Sequence, residues 1–141
     1  MAETWKDVLA QQLQRHEGIK QFAYTDTVGK VTCGIGRNLT DKGLSKAEIV
    51  LLLTHDIADA EVDARRLLTD PIFDSLSDVR KGVICNMAFN MGYSRLARFT
   101  VMVGAAKAGE HLAVAREMRH SLWAKQVGAR AEELAKLWEE G

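Results

Sequence analysis

The chain has 141 residues, of which 47% are hydrophobic and 27% charged, so it has the commonest size of a single domain and the composition of a soluble globular protein. Lysine plus arginine equals aspartate plus glutamate at 19 each, and the lack of a strong basic footprint argues against nucleic acid as the main partner. The opening segment MAETWKDVLAQQLQRHEG is polar and amphipathic. It lacks both the apolar core of a signal peptide and the roughly 20 apolar residues of a membrane span, which predicts a protein made in the cytosol and not inserted in a membrane.

Charge is uneven along the chain. Residues 1–77 carry 9 basic and 12 acidic groups, a net of −3, and residues 78–141 carry 10 and 7, a net of +3. The basic second half suits an anionic polymer such as a bacterial wall and equally suits ordinary solvated helix faces. Cys33 and Cys85 are too few for a disulfide scaffold. Neither they nor the scattered His16, His55, His111 and His120 have metal-ligand spacing, so no metal or other cofactor is expected.

In chain order, residues 4–16 read as a helix. Thr4 is placed to cap it, Trp5, Val8, Leu9, Leu13 and His16 fall on one face, and Gly18 suits its C-terminal turn. Residues 22–36 read as a β-hairpin turning at Thr27-Val28-Gly29-Lys30. Five of the eleven glycines lie between positions 18 and 43, which concentrates backbone freedom there. Ser45 and Glu48 form a capping box for a long helix, in which Ile49, Leu52, Leu53, Ile57 and Ala60 repeat at helical spacing to about Leu68. Asp70-Pro71 interrupts it. Ser77 caps a helix whose Val83, Ile84, Met87, Ala88 and Met91 are apolar over a broad arc, ending at Gly92 and predicted to form the centre of a helical lobe. Shorter helices are expected at about 94–98, 100–107, 110–121 and 129–139. The predicted class is α+β and mostly helical. It is a single domain in which a hairpin lobe (about 17–44) is joined by a long helix (about 45–68) to a helical lobe (about 72–141, with the N-terminal helix), leaving a cleft between lobes.

The most informative stretch is EGIKQFAYTDTVGKVTCGIG, residues 17–36. Glu17 closes a helix, Asp26 lies nine residues on at the hairpin tip, and Thr32 follows on the returning strand. Two carboxylates and a hydroxyl able to hold water are the parts needed to hydrolyse a glycosidic bond by acid–base chemistry. Each residue also has a plainer reading: Glu17 as a surface carboxylate, Asp26 as a turn former, Thr32 as a strand former.

This segment resembles the signature of the T-even-type bacteriophage lysozymes, glycoside hydrolase family 24, in spacing and residue type. DSLSDVRKGVICNMAFNMG (74–92) resembles their central helix, and Phe99-Thr100, the Trp123 region and Ala129-Arg130-Ala131 resemble later landmarks. The resemblance covers nearly the whole chain, with a shorter region at 38–73 than in the best-known member. It implies a lysozyme-like fold and a muramidase that cuts the β-1,4 bond between N-acetylmuramic acid and N-acetylglucosamine in peptidoglycan. Glu17 would be the general acid, Asp26 an ionised carboxylate that stabilises oxocarbenium character and orients water, and Thr32 the group that holds that water, with inversion at the anomeric carbon. A general acid needs a raised pKa, which apolar neighbours such as Phe22 or Met87 would favour by partial desolvation. Arg130 corresponds to an arginine near the acid; a guanidinium there lowers a carboxyl pKa, so its assigned role is structural or lobe-closing. Phe89 and Asn90, the latter in place of a glutamine, correspond to cleft-lining positions, which implies substrate contact, although Phe89 reads equally as a core residue. Arg37 stands where a histidine is usual.

These expectations amount to a phage-encoded endolysin. It would be a monomer without cofactor, released from the host cytoplasm to the wall through a holin lesion. The alternatives are a lytic transglycosylase, a non-catalytic wall-binding or tail module with the same fold, and a helical DNA-binding protein, which the neutral charge disfavours.

Overall fold

A computed structural model describes residues 2–141. The chain divides into two compact units, the first ending at Leu51 and the second running from Leu52 to Gly141. In the first unit, α1 (Trp5–Glu17) starts at a reciprocal cap: the Asp7 N–H donates to the Thr4 hydroxyl while the Thr4 N–H donates to the Asp7 carboxylate. That exchange satisfies two backbone donors that a helix start leaves free. The Thr4 hydroxyl also donates to the Asp7 carboxylate at 2.7 Å, and this bond together with that from the Thr4 N–H holds the carboxyl below its ordinary pKa. Gly18, at φ +71°, ends α1 and sends its N–H to the Gln14 carbonyl.

Three antiparallel strands follow in the order β1 (Lys20–Thr25), β2 (Val31–Gly34), β3 (Arg37–Asn38). The hairpin predicted for 22–36 is present, extended at its start and joined by a third strand too short for its pattern to show in the sequence. Thr25 pairs with Val31, Tyr24 with Thr32 and Lys20 with Gly34, so β1 advances four residues where β2 advances two. Such a bulge bends the strand, and the Cys33 thiol lies against it, 3.5 Å from the Lys20 carbonyl. Cys33 and Cys85 are both half-buried free thiols.

The division between units falls within α2 (Lys46–Leu68). Its start is the expected box, with the Ser45 N–H donating to Glu48 at 2.8 Å and the Glu48 N–H to the Ser45 hydroxyl. Its end is set by Thr69, the one non-glycine residue at positive φ (+77°) among those described. A new helix, α3 (Asp70–Ser75), begins where Asp70-Pro71 interrupts the pattern. Proline lacks the N–H that a first helical turn leaves unused, so Pro71 fits the first turn of α3. Arg65 ties the junction together, reaching Glu61 at 2.7 Å, Asp74 at 2.9 Å and Asp70 at 3.3 Å, with its guanidinium 4.5 Å from the Phe73 ring centroid.

Ser77 caps α4 (Asp78–Met91), which buries Val83, Ile84, Met87, Ala88 and Met91 as expected. The remaining helices are α5 (Tyr93–Leu96), α6 (Thr100–Ala108), α7 (His111–Arg119), α8 (Leu122–Val127) and α9 (Ala129–Glu140). The segment expected as one helix over 110–121 stops at Arg119, because Ser121 caps a separate turn through its hydroxyl; that turn, α8, buries Trp123. The hydrophobic core belongs wholly to the second unit and runs from Ala60 to Trp138.

Two expected apolar faces lie outside that core. None of Trp5, Val8, Leu9 and Leu13 on α1 is buried, Trp5 being 72% exposed. On α2 the burial begins only at Ala60 and continues through Ala64, Leu67 and Leu68, leaving Ile49, Leu52, Leu53 and Ile57 exposed. Among the described residues of the first unit Thr32 alone is buried. This unit is held by backbone ladders, caps and polar turns, and it has no interior to receive an apolar stripe.

Candidate active site

The first unit carries the three residues singled out from the sequence, and local backbone chemistry places each one. Glu17 is the last residue of α1, immediately before the helix-ending Gly18. Its carboxyl group lies against Gly36, in the turn between β2 and β3. A Cβ built on Gly36 would stand 3.0 Å from Glu17 Cγ and Cδ and 3.1 Å from Oε2. Glu17 is exposed, and Phe22, expected to withdraw water from it, is itself 80% exposed. The other expected neighbour, Met87, belongs to the core of the second unit.

Asp26 sits in the turn between β1 and β2 and is half-buried. One carboxylate oxygen, Oδ1, accepts from the N–H groups of Val28 at 3.0 Å and Lys30 at 2.8 Å, an Asx-type arrangement that locks the side chain to its own turn. The Asp26 N–H donates in turn to the Lys30 carbonyl at 2.8 Å. That same carbonyl accepts the Thr32 hydroxyl at 3.1 Å. Asp26 and Thr32 are therefore tied to one peptide group. Thr32 is 5% exposed and its hydroxyl hydrogen is spent on that carbonyl, so toward any further group it can only accept. Lys30 is further anchored to Asp41 at 3.0 Å, and Asn38 donates to the same carboxylate. Arg37 pairs with Glu48 at 2.6 Å and donates to the Gly43 carbonyl, joining the loop after β3 to the start of α2. The Ser45 bonds and this guanidinium hold the Glu48 carboxyl down at about 2.

Phe89, Asn90 and Arg130 lie in the second unit. Phe89 is exposed and, with Leu53, Ile57, Cys85, Asn86 and Arg130, lines an apolar pocket of about 420 Å³. The Asn90 carbonyl oxygen accepts from the Trp123 indole at 2.8 Å, which leaves its amide N–H groups to donate outward. Arg130 donates twice to the Asn86 side-chain oxygen, at 2.6 and 3.1 Å. Sequence reasoning did not find Asn86 or Gly36. Asn86 meets Arg130 across 44 positions of sequence, a pairing that no local pattern encodes; Gly36 carried a signal only as one glycine among several. Among the described residues, no group of three or more histidine, cysteine, aspartate or glutamate side chains is placed to hold a metal ion, and no helix is long and apolar enough to cross a membrane.

A helix-end glutamate, a turn-locked aspartate and a strand threonine thus lie in the first unit of a mostly helical α+β chain. The family model for phage lysozymes matches residues 14–138, nearly all of the chain, and the protein belongs to that family. It is 30% identical to the pre-baseplate central spike protein Gp5 of Enterobacteria phage T4, over 87% of this chain and 26% of that protein. The chain thus spans about a quarter of the spike protein's length. It is 26% and 24% identical to probable T4-type lysozymes 1 and 2 of Dictyostelium discoideum, in each case over 100% of this chain and 96% of the relative.

Proposed function

We propose that this protein is a muramidase that hydrolyses the β-1,4 bond between N-acetylmuramic acid and N-acetylglucosamine, and that it serves as an endolysin. The observation that carries the reading is the coupling of Asp26 and Thr32 through the Lys30 carbonyl, in the same unit that holds the Glu17 carboxyl against Gly36. In the proposed reaction Glu17 gives its proton to the glycosidic oxygen as the bond to the anomeric carbon breaks. A water held by Thr32 and oriented by Asp26 attacks that carbon from the opposite face and passes its proton to Asp26, inverting the configuration. Phe89 and Asn90 contact the sugar chain, and Arg130 acts structurally through Asn86. The 141 residues form one lysozyme domain, acting as a monomer without cofactor. Made in the host cytoplasm, it reaches the wall through a holin lesion.

The test is clearing of chloroform-treated Gram-negative cells by the wild type beside Glu17→Gln. A fall of about 10²–10⁴-fold is expected, the usual contribution of a positioned acid; equal clearing by both overturns the reading. The similarity to a spike protein favours a second reading, a structural tail module that keeps the fold. Retention on purified sacculi without release of reducing ends supports that one. Anhydro-sugar ends in the digested muropeptides, seen by mass spectrometry, identify a lytic transglycosylase instead.

A further inference from the structure

We infer that Gly36 is a positioning residue for the catalytic proton donor. The absence of a side chain at this one position lets the Glu17 carboxyl group rest on the β2–β3 turn. This inference rests on the reading of Glu17 as the general acid.

The distances are the basis. Carbon–carbon packing distances are about 3.5–4.0 Å, and a Cβ at position 36 would come within 3.0 Å of both Cγ and Cδ of Glu17. The atoms it would meet are the end of a flexible side chain and not fixed backbone. Relief is therefore easy for the fold, because Glu17 rotates away, but that same rotation takes the carboxyl from its place. A methyl group at position 36 should damage the reaction far more than the stability.

The molecule supplies its own control two residues away. Gly34 and Gly36 have the same φ, +69°, yet a Cβ on Gly34 meets nothing within 4 Å. Alanine at either position meets a left-handed φ and its backbone penalty. Only alanine at 36 also displaces Glu17. The difference between the two variants isolates the contact.

The experiment measures kcat and KM for reducing-end release from purified peptidoglycan, and the melting temperature, for the wild type, Gly34→Ala, Gly36→Ala and Glu17→Gln. Relative to Gly34→Ala, Gly36→Ala is expected to lose about 10-fold in kcat, short of the roughly 10²-fold cost of a misplacement by about 1 Å, because the contact asks Glu17 to give by only a fraction of that. Its KM should stay within about twofold and its melting temperature should match, because substrate binding and folding do not use the contact in the way proton transfer does. Equal kcat for the two alanine variants overturns the inference, and so does a Gly36→Ala chain that fails to fold while Gly34→Ala folds. In the wild type, nuclear Overhauser contacts between the Gly36 α-protons and the Glu17 γ-protons are expected, and their absence overturns it whatever the variants do. If the wild type and Glu17→Gln are equally active, the assignment of Glu17 as acid fails; if Glu17 is required but the alanine variants agree, only the role of Gly36 fails.

Discussion

At the scale of single residues, backbone demands and chemical demands fall on neighbouring positions and are met by different side chains. Asp26 is a turn former whose Oδ1 is taken up by two backbone N–H groups, so the preference that made it readable as a turn residue also fixes the orientation its proposed role requires. Thr69 is the opposite case. A β-branched residue at φ +77° and ψ +152° occupies a region suited to glycine, and its hydroxyl makes no capping bond at the start of α3. Thr69→Gly is expected to raise stability by about 1 kcal/mol, the strain released less the added freedom of the unfolded chain, read as a higher urea midpoint with unchanged slope. The residues that carry proposed chemistry were legible because Glu17, Asp26 and Thr32 lie within sixteen positions of one another. Asn86 and Gly36 were not, since what marks them is a contact made in space.

Among the elements, those with explicit punctuation match their sequence pattern. The Thr4–Asp7 and Ser45–Glu48 boxes, the Ser77 cap and the glycines at 18, 92 and 128 all sit at helix boundaries. Where one helix follows closely on another the pattern fell short: it ended α2 near Leu68 but did not show α3, and it ran one helix through Ser121, which caps the separate α8. The cap of α2 has a pH signature. Its Glu48 carboxyl titrates at about 2 in the folded protein against an ordinary 4.5. A depressed folded-state pKa contributes stability above pH 4.5 that is lost as pH falls toward 2. The melting temperature of the wild type should therefore drop across that window. Glu48→Gln, which keeps a capping oxygen but no charge, should flatten the drop. In the seam between α7 and α9, the fully buried Trp138 lies 5.9 Å from the His111 ring, and its indole N–H has no hydrogen-bond partner among the described residues. Trp138→Ala should cost about 3–5 kcal/mol through the cavity it leaves. Trp138→Phe should cost well under half of that in chemical denaturation, because it also removes a buried N–H that is left unpaired.

At the scale of the whole molecule, the two units are stabilised by different means. The second has a continuous apolar core, with Leu68, Ile84, Met87, Leu96, Met102, Met118 and Trp138 almost completely buried, and burial of apolar area is its main driving force. The first buries a single described residue and depends on hydrogen-bonded turns and ladders. That contrast explains the uneven fate of the helical periodicities. A repeat of apolar residues every three or four positions states that a helix has a hydrophobic face; it does not name the surface that will cover it. The pattern of α4 met a core and was buried, whereas those of α1 and the first half of α2 did not. The sequence by itself determined the class of fold, most helix limits, the hairpin and the phage lysozyme signature, because caps, turns and short-range spacing are local properties of the chain. Only the tertiary structure decided which apolar faces are buried, that Arg130 is held by Asn86, and that the Glu17 carboxyl rests on Gly36. Those outcomes depend on distances between residues far apart along the chain or on separate elements, and no local propensity encodes such a distance.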